Sequence, residues 1–373
     1  MENHNEASTP ISLENHQLKA QPFNFNYMAV RSSFNSIQLP FSFCQSNIKT
    51  SSSFQSTLYT PSGSSTPGSS HSDLKLSAHR SKARVCAVVS EESSAVVSGA
   101  AAGADMFKLT YLEGNSWLWD VNGLKLLVDP ILVGNLDFGI PWLYDAAKRI
   151  LKNFSLSDLP YQIDCLLITQ SLDDHCHLKT LRLLSQKYPN LRVIATPNAK
   201  ALLDPLFSNV IYLEPGQSHE INVAENSSVV IRATAGPVLG PPWQRPESGY
   251  IVTSPRDKLS LYYEPHCVYD QTSVEKEQAD IVITPVIKQL LPGLTLVSGQ
   301  EEAVKLAKLL NAKFVVPMKN GDLDARGILS RLIRSQGTVE SFKAIMSKEL
   351  PQVQVLEPTP GEPLDVPPPE NLS

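Results

Sequence analysis

A short apolar run, Asp164-Cys165-Leu166-Leu167-Ile168, passes without a spacer into Thr169-Gln170-Ser171-Leu172-Asp173-Asp174-His175-Cys176-His177. The first segment is short, β-prone and apolar enough for a buried strand, and the second opens a helix near His177. Acidic and imidazole groups therefore emerge where a strand ends, which is where ligands collect in α/β proteins.

Two further segments frame this loop. Leu109 to Pro130 holds two β-prone runs about Asn122-Gly123, a strong hairpin signal. Ser298-Gly299-Gln300-Glu301 has capping-box spacing, and Val304, Leu306, Ala307 and Leu310 follow at near-helical intervals before Phe314-Val315-Val316-Pro317. Together these segments resemble the metallo-β-lactamase fold over roughly Met106 to Leu356. The resemblance implies an α/β (α+β) architecture, a four-layer αββα sandwich of two mixed β-sheets.

That fold carries the signature H-x-H-x-D-H at such a strand end, and here the frame reads Gln170-x-Leu172-x-Asp174-His175. By the resemblance, Gln170 and Leu172 stand where two histidines would hold a first metal. Neither side chain ligates zinc in the usual way. The strand Ile231-Arg232-Ala233-Thr234-Ala235, where a third histidine is expected, has none, and Lys319 takes the place of the last one. The positions for a second metal keep Asp174 and His175, which the resemblance also makes the catalytic candidates. Glu264 and His266, from Leu261-Tyr262-Tyr263-Glu264-Pro265-His266, are possible additions.

Two readings follow. In the first, one zinc or iron ion held by Asp174, His175, His266 and Glu264 activates a water for hydrolysis of an ester, thioester, phosphoester or amide. In the second, no metal binds: the Lys319 ammonium compensates Asp174, and Asp174 with His175 simply caps the following helix. The protein is then a ligand-binding or assembly protein that keeps the pocket. No other cofactor is indicated, because the chain has no nucleophile elbow, phosphate loop or dinucleotide fingerprint.

Several residues belong to the pocket under the first reading and have plainer roles otherwise. Asp129 either braces the histidine loop or is a turn residue before Pro130. His177 diverges from His175 by about 200° at a helix start, which favours a surface position or one behind the ligands. The proline-rich segment Gly236 to Tyr250 is a loop between strands, where Trp243, Gln244 and Arg245 can reach a substrate or form a stiff surface loop that packs its Trp. Pro141-Trp142-Leu143-Tyr144, inside the insertion Ile131 to Tyr161, is a lid helix or ordinary packing. Cys176 and Cys267 each follow a candidate histidine, and burial is their commoner fate than thiol reactivity.

The first 86 residues differ in kind: rich in Ser, with seven Lys or Arg against four Asp or Glu. They read as an organelle transit peptide, of the plastid stroma rather than the mitochondrion because Ser dominates and Arg is sparse. Residues 87–105 read as a flexible leader, 106–358 as the domain and 359–373 as a Pro-rich tail. Outside the first 86 the chain holds 25 basic and 33 acidic residues, a balance of −8, and no basic cluster, which argues against nucleic acid and leaves a small molecule as the expected partner. No apolar run approaches the length of a membrane span.

Overall fold

The hairpin about Asn122-Gly123 shows how this sequence makes sheet. Both turn residues have positive φ (59° and 86°), the conformation whose twist matches that of paired strands. Before the turn, Trp117, Trp119 and Val121 are buried while Leu118 and Asp120 are half-buried, the alternation a strand imposes. The computed structural model describes residues 107–224, 227–239, 243–254, 259–319 and 321–367, and the expected transit segment and leader lie outside them.

Among the described residues, strands β1 to β19 form two large sheets and two small ones. The first large sheet has the order β19 (Pro363–Val366), β1 (Phe107–Tyr111), β2 (Trp117–Val121), β3 (Leu124–Val128), β5 (Cys165–Ile168), β6 (Arg192–Ala195), β7 (Asn209–Tyr212). The second runs β18 (Gln354–Val355), β15 (Phe314–Met318), β12 (Ile281–Pro285), β11 (Leu259–Tyr263), β10 (Ser248–Ser254), β9 (Ser227–Ala235), β8 (Ser218–Ala224). Each is mixed. The neighbours from β19 to β3 are antiparallel and those from β3 to β7 parallel. In the second sheet the neighbours from β8 to β11 are antiparallel and those from β11 to β18 parallel.

Three apolar clusters define the layers. Between the sheets, Trp117, Trp119, Val128 and Leu167 meet Ile231, Tyr250, Tyr263 and Val316. Trp119 stands edge-on to Tyr263 with centroids 5.4 Å apart, a contact worth about 1 kcal/mol beyond the area it buries. On one outer face Leu181 and Leu184 of the helix Leu178–Lys187 cover Leu166, Ile168 and Val193. On the other, Ala303, Leu306 and Ala307 of the helix Glu301–Leu309 and Phe342 and Met346 of the helix Val339–Glu349 cover Tyr262, Val282 and Val315. The fold is the αββα sandwich.

Two segments depart from the sequence reading. The expected tail 359–373 contributes β19, which pairs antiparallel with β1 and places Val366, fully buried, opposite Phe107. It covers what would be an open edge, and its proline occupies the first strand position, where the missing N–H is tolerated. Pro141 to Tyr144 is a turn, closed by Leu143 N–H and Tyr144 N–H on the Ile140 carbonyl, and Trp142 is 60% exposed. The turn leads into β4 (Asp145–Ala147), which pairs with β16 (Asp324–Arg326). The remaining small sheet joins β14 (Leu294–Val297), β13 (Lys288–Leu291) and β17 (Arg334–Gln336).

Candidate metal centre

Three strands end at one place. Asp129 follows β3, Thr169 and Gln170 follow β5, and Glu264 to His266 follow β11. The two sheets are tied there by Tyr250 Oη donating to the Ile168 carbonyl at 3.0 Å, Ser248 N–H to the Thr169 carbonyl at 3.0 Å and Tyr263 Oη to the Asn115 carbonyl at 2.9 Å. The loop after β5 closes on the Leu172 carbonyl, which accepts from His175 N–H and Cys176 N–H and so presents Asp174 and His175 together. Gly249, in β10, leaves room for its neighbours in the second sheet: a Cβ there would lie 2.7 Å from Thr234 Oγ1 and 3.2 Å from the Glu264 Cβ.

Asp174, His175 and His266 converge, with one donor atom of each lying within 4.8 Å of the others. Asp174 Oδ2 is 3.2 Å from His175 Nε2 and 3.8 Å from His266 Nε2. Two donors held 2.0–2.1 Å from a tetrahedral zinc lie roughly 3.4 Å apart, so this spacing suits one ion with a coordination position left open. Asp174 Oδ1 is buried without a hydrogen-bond partner, a further oxygen facing no proton donor. His175 turns its other nitrogen, Nδ1, to Asp129 Oδ2 at 2.9 Å, the carboxylate behind a histidine that fixes ring orientation in metal sites. Asp129 is itself fixed, accepting from Thr169 N–H at 2.9 Å and Thr169 Oγ1 at 2.5 Å. Its φ of +41° and the +53° of Cys267 are left-handed at non-glycine residues, strain of about 1 kcal/mol or more each beside the site.

The electrostatics follow from burial and neighbours. Burial disfavours the His175 cation, but the charges and hydrogen bonds of Asp174 and Asp129 outweigh it and raise its pKa well past neutral. For Asp174 burial is likewise outweighed, by His175 and then His266, and its carboxyl stays below the usual range. Burial, reinforced by the His175 charge, pushes His266 down to about 3, so it is the neutral imidazole a metal requires. Burial pushes Glu264 up to about 8.

The other sequence candidates fall into two groups. Some belong to the site without joining the cluster. Glu264 is fully buried, but its Oε2 accepts from His266 N–H at 3.2 Å and Val268 N–H at 2.6 Å, so it shapes its own loop. Gln170 lies against it, with Nε2 2.7 Å from His266 Nδ1 and 3.4 Å from Glu264 Oε1. Others lie apart from it. Lys319 does not compensate Asp174: its Nζ pairs with Glu357 Oε1 at 2.8 Å, because β15 delivers it beside the segment that follows β18. His177 is fully buried rather than at the surface, and its side-chain partner lies on its own helix. It is the N-cap residue of its helix and its Nδ1 meets Thr180 Oγ1 at 2.8 Å. Neither Asp174 nor His175 is the N-cap of that helix, a position held by His177, whose side chain makes no capping hydrogen bond.

The loop after β9 leaves Trp243 83% exposed rather than packed, and Arg245 pairs with Glu214 at 3.0 Å. Cys176 and Cys267 are buried, and desolvation raises both thiols, Cys176 to about 12, so neither is a ready nucleophile. Sequence reading missed Asn115, whose Nδ2 donates to the Asp174 carbonyl at 3.1 Å and sits 3.1 Å from His175 Nε2. It also missed Thr169. Asn115 lies 59 residues from Asp174 in a turn whose Glu113-Gly114 pair signals only a bend. Thr169 adjoins the quoted motif and was legible as a polar residue at a strand end.

The domain model of the beta-lactamase superfamily matches residues 108–319, and the chain belongs to that superfamily, with the metallo-β-lactamase fold. No curated protein matches the chain. Similar solved structures include Igni18, a metallo hydrolase of the archaeon Ignicoccus hospitalis, at 19% identity and TM-score 0.49 over 70% of this chain and 99% of that one. CmlA, a diiron β-hydroxylase of Streptomyces venezuelae, is 16% identical with TM-score 0.49 over 70% and 54%. The metallo-beta-lactamase fold protein YhfI of Bacillus subtilis is 14% identical with TM-score 0.46 over 70% and 100%.

Proposed function

We propose that the protein is a hydrolase working with one zinc or iron ion at Asp174, His175 and His266, on a small-molecule ester, thioester, phosphoester or amide. The observation that carries this reading is the convergence of three donors on one point while Lys319, the cation expected to replace a metal, is engaged by Glu357. A bound ion would supply a water of lowered pKa and polarise the scissile group. The residues do the rest. Asp129 fixes the His175 ring and keeps its Nδ1 protonated, so that Nε2 faces the donors. Asn115 holds the loop by the Asp174 carbonyl. Asp174 and His266 keep 18% and 9% of their side chains exposed, which makes them the solvent-facing members of the cluster, whereas His175 is fully enclosed.

A second reading rests on a specific contact. His175, when protonated, bridges Asp129 and Asp174 and balances their charge with no ion, as a ligand-binding or assembly protein without metal would require. Metal content of the purified full chain separates the two. About one zinc or iron per chain, lost in Asp174→Asn and His266→Ala, supports the hydrolase, and no metal above background in any of the three proteins overturns it. We also propose import of the chain into plastids, supported by the Ser-rich composition of residues 1–86. Fusion of that segment to a fluorescent protein tests it, and cytosolic fluorescence refutes it.

A further inference from the structure

Gln170 stands at the strand end where the resemblance expects a metal-binding histidine, yet its amide is in direct contact with a residue of the remaining cluster. The amide end is 2.7 Å from His266 Nδ1, and Gln170 is fully buried. A neutral imidazole carries one proton, and the hydrogen bond at one nitrogen decides which nitrogen keeps it. The cluster needs His266 Nε2 bare, because Nε2 is the atom facing Asp174 Oδ2.

An amide end can meet Nδ1 in two ways of nearly equal shape. With Nε2 of Gln170 facing the ring, the amide donates to Nδ1, the imidazole proton sits on its Nε2, and Gln170 Oε1 is left buried without a partner. Turned over, the amide oxygen accepts from Nδ1–H, and the ring's Nε2 lone pair is free toward Asp174. The exchange is balanced: Nε2 gives one proton to solvent and Nδ1 takes one up. Glu264 Oε1, 3.4 Å from the amide, meets either end, as a carboxylate accepting from the NH2 or as an acid donating to the oxygen.

We infer that Gln170 is the positioning residue that selects the His266 tautomer, its amide donating to Nδ1 in the metal-free protein and turning over to accept from Nδ1–H when an ion is bound at Nε2. The second half of this statement rests on the metal-centred function proposed above; the first half does not. Gln170 thereby turns the place of one expected ligand into outer support for another, a role whose loss elsewhere typically lowers metal affinity 10–100-fold.

The test uses the full chain with 15N-labelled histidine, its His266 signals assigned by their loss in His266→Gln, and three proteins: wild type, Gln170→Glu and Gln170→Met. Glutamate as a carboxylate can only accept, and methionine offers neither a donor nor a good acceptor; melting temperature establishes that both variants fold. In the metal-free state, ring nitrogen shifts are expected to place the proton on Nε2 in wild type and on Nδ1 in Gln170→Glu. Zinc affinity, read by competition with a chromophoric chelator, is expected to fall about 10–100-fold in Gln170→Met and to hold or rise in Gln170→Glu. The same tautomer in all three proteins overturns the inference, whether or not zinc binds. A tautomer that moves in Gln170→Glu while no protein binds zinc sustains Gln170 as selector and refutes the metal-centred function instead.

Discussion

The two halves of the strand-end site resolve their polar groups in opposite ways. In the half that the resemblance assigns to a first metal, Leu172 contributes only a carbonyl that closes a turn, Lys319 is paired with Glu357, and Gln170 leans on His266. Those groups are held by one another or by their neighbours, save the amide oxygen of Gln170, which is buried without a partner. In the other half, Asp174, His175 and His266 turn their donor atoms inward on one point, and Asp174 Oδ1 meets no donor at all. A buried carboxylate oxygen without a partner is costly. Its persistence beside a braced histidine sets the second half apart from a loop that has merely lost its ligands.

The largest effect that can break this contrast is at His175. In His175→Ala the fully buried Asp129 keeps Thr169 but loses the cation paired with it, so the metal-free protein is expected to lose about 3–5 kcal/mol of stability, read by urea denaturation. Adding Asp129→Ala to that variant removes the stranded carboxylate and should recover part of the loss. Two additive losses would mean that the pair carries no coupling, and the site would then be ordinary packing.

A smaller effect separates the halves by pH. The folded pKa of His175 lies above its unfolded value of about 6.5, so the folded metal-free protein binds more protons above that pH. The stabilisation from its pairing is full below about pH 6.5 and is lost as pH rises through the folded value. Glu264, raised to about 8, acts in the same sense from its ordinary value up to there. The metal-free melting temperature is therefore expected to fall between pH 6.5 and 9. A metal at Nε2 must displace the His175 proton, so zinc affinity should rise by up to about tenfold per pH unit over the same window, with close to one proton released per ion in weakly buffered solution. Zinc at a hundred times its dissociation constant should add about 2.7 kcal/mol of stability. Binding with no proton release would place the ion elsewhere.

Much of the architecture was legible because it is local. The Asn122-Gly123 turn, the alternation of Trp117 to Val121 and the apolar run before Thr169 each carry their own signal within a few residues. Asp174 and His175 were legible for the same reason. The partners that give them their chemistry were harder to place, because each arrives on a different strand. Asn115 comes from the turn before β2, and His266 follows β11 in the other sheet. Lys319 shows the limit most clearly. Its position after β15 was readable, but its direction is set by Glu357, which follows the two-residue strand β18. The tail was misread because a four-residue edge strand opening on proline carries almost no periodicity.

The smallest effect is the one most specific to the contrast. Lys319 and Glu357 keep 35% and 33% of their side chains exposed, so their ion pair belongs with surface pairs worth about 0–1 kcal/mol. Lys343 also reaches Glu357 at 2.7 Å and would hold it alone. Lys319→His is therefore expected to change stability by less than about 1 kcal/mol and to leave zinc stoichiometry at one per chain, since Gln170 and Leu172 still offer no imidazole beside it. Calorimetric titration of zinc into the variant reads both affinity and stoichiometry. A second zinc bound by Lys319→His alone would mean that the first half of the site is nearly intact and that Gln170 ligates rather than supports. A large fall in affinity at the single site would mean that the ammonium acts on Asp174 after all, contrary to its pairing with Glu357.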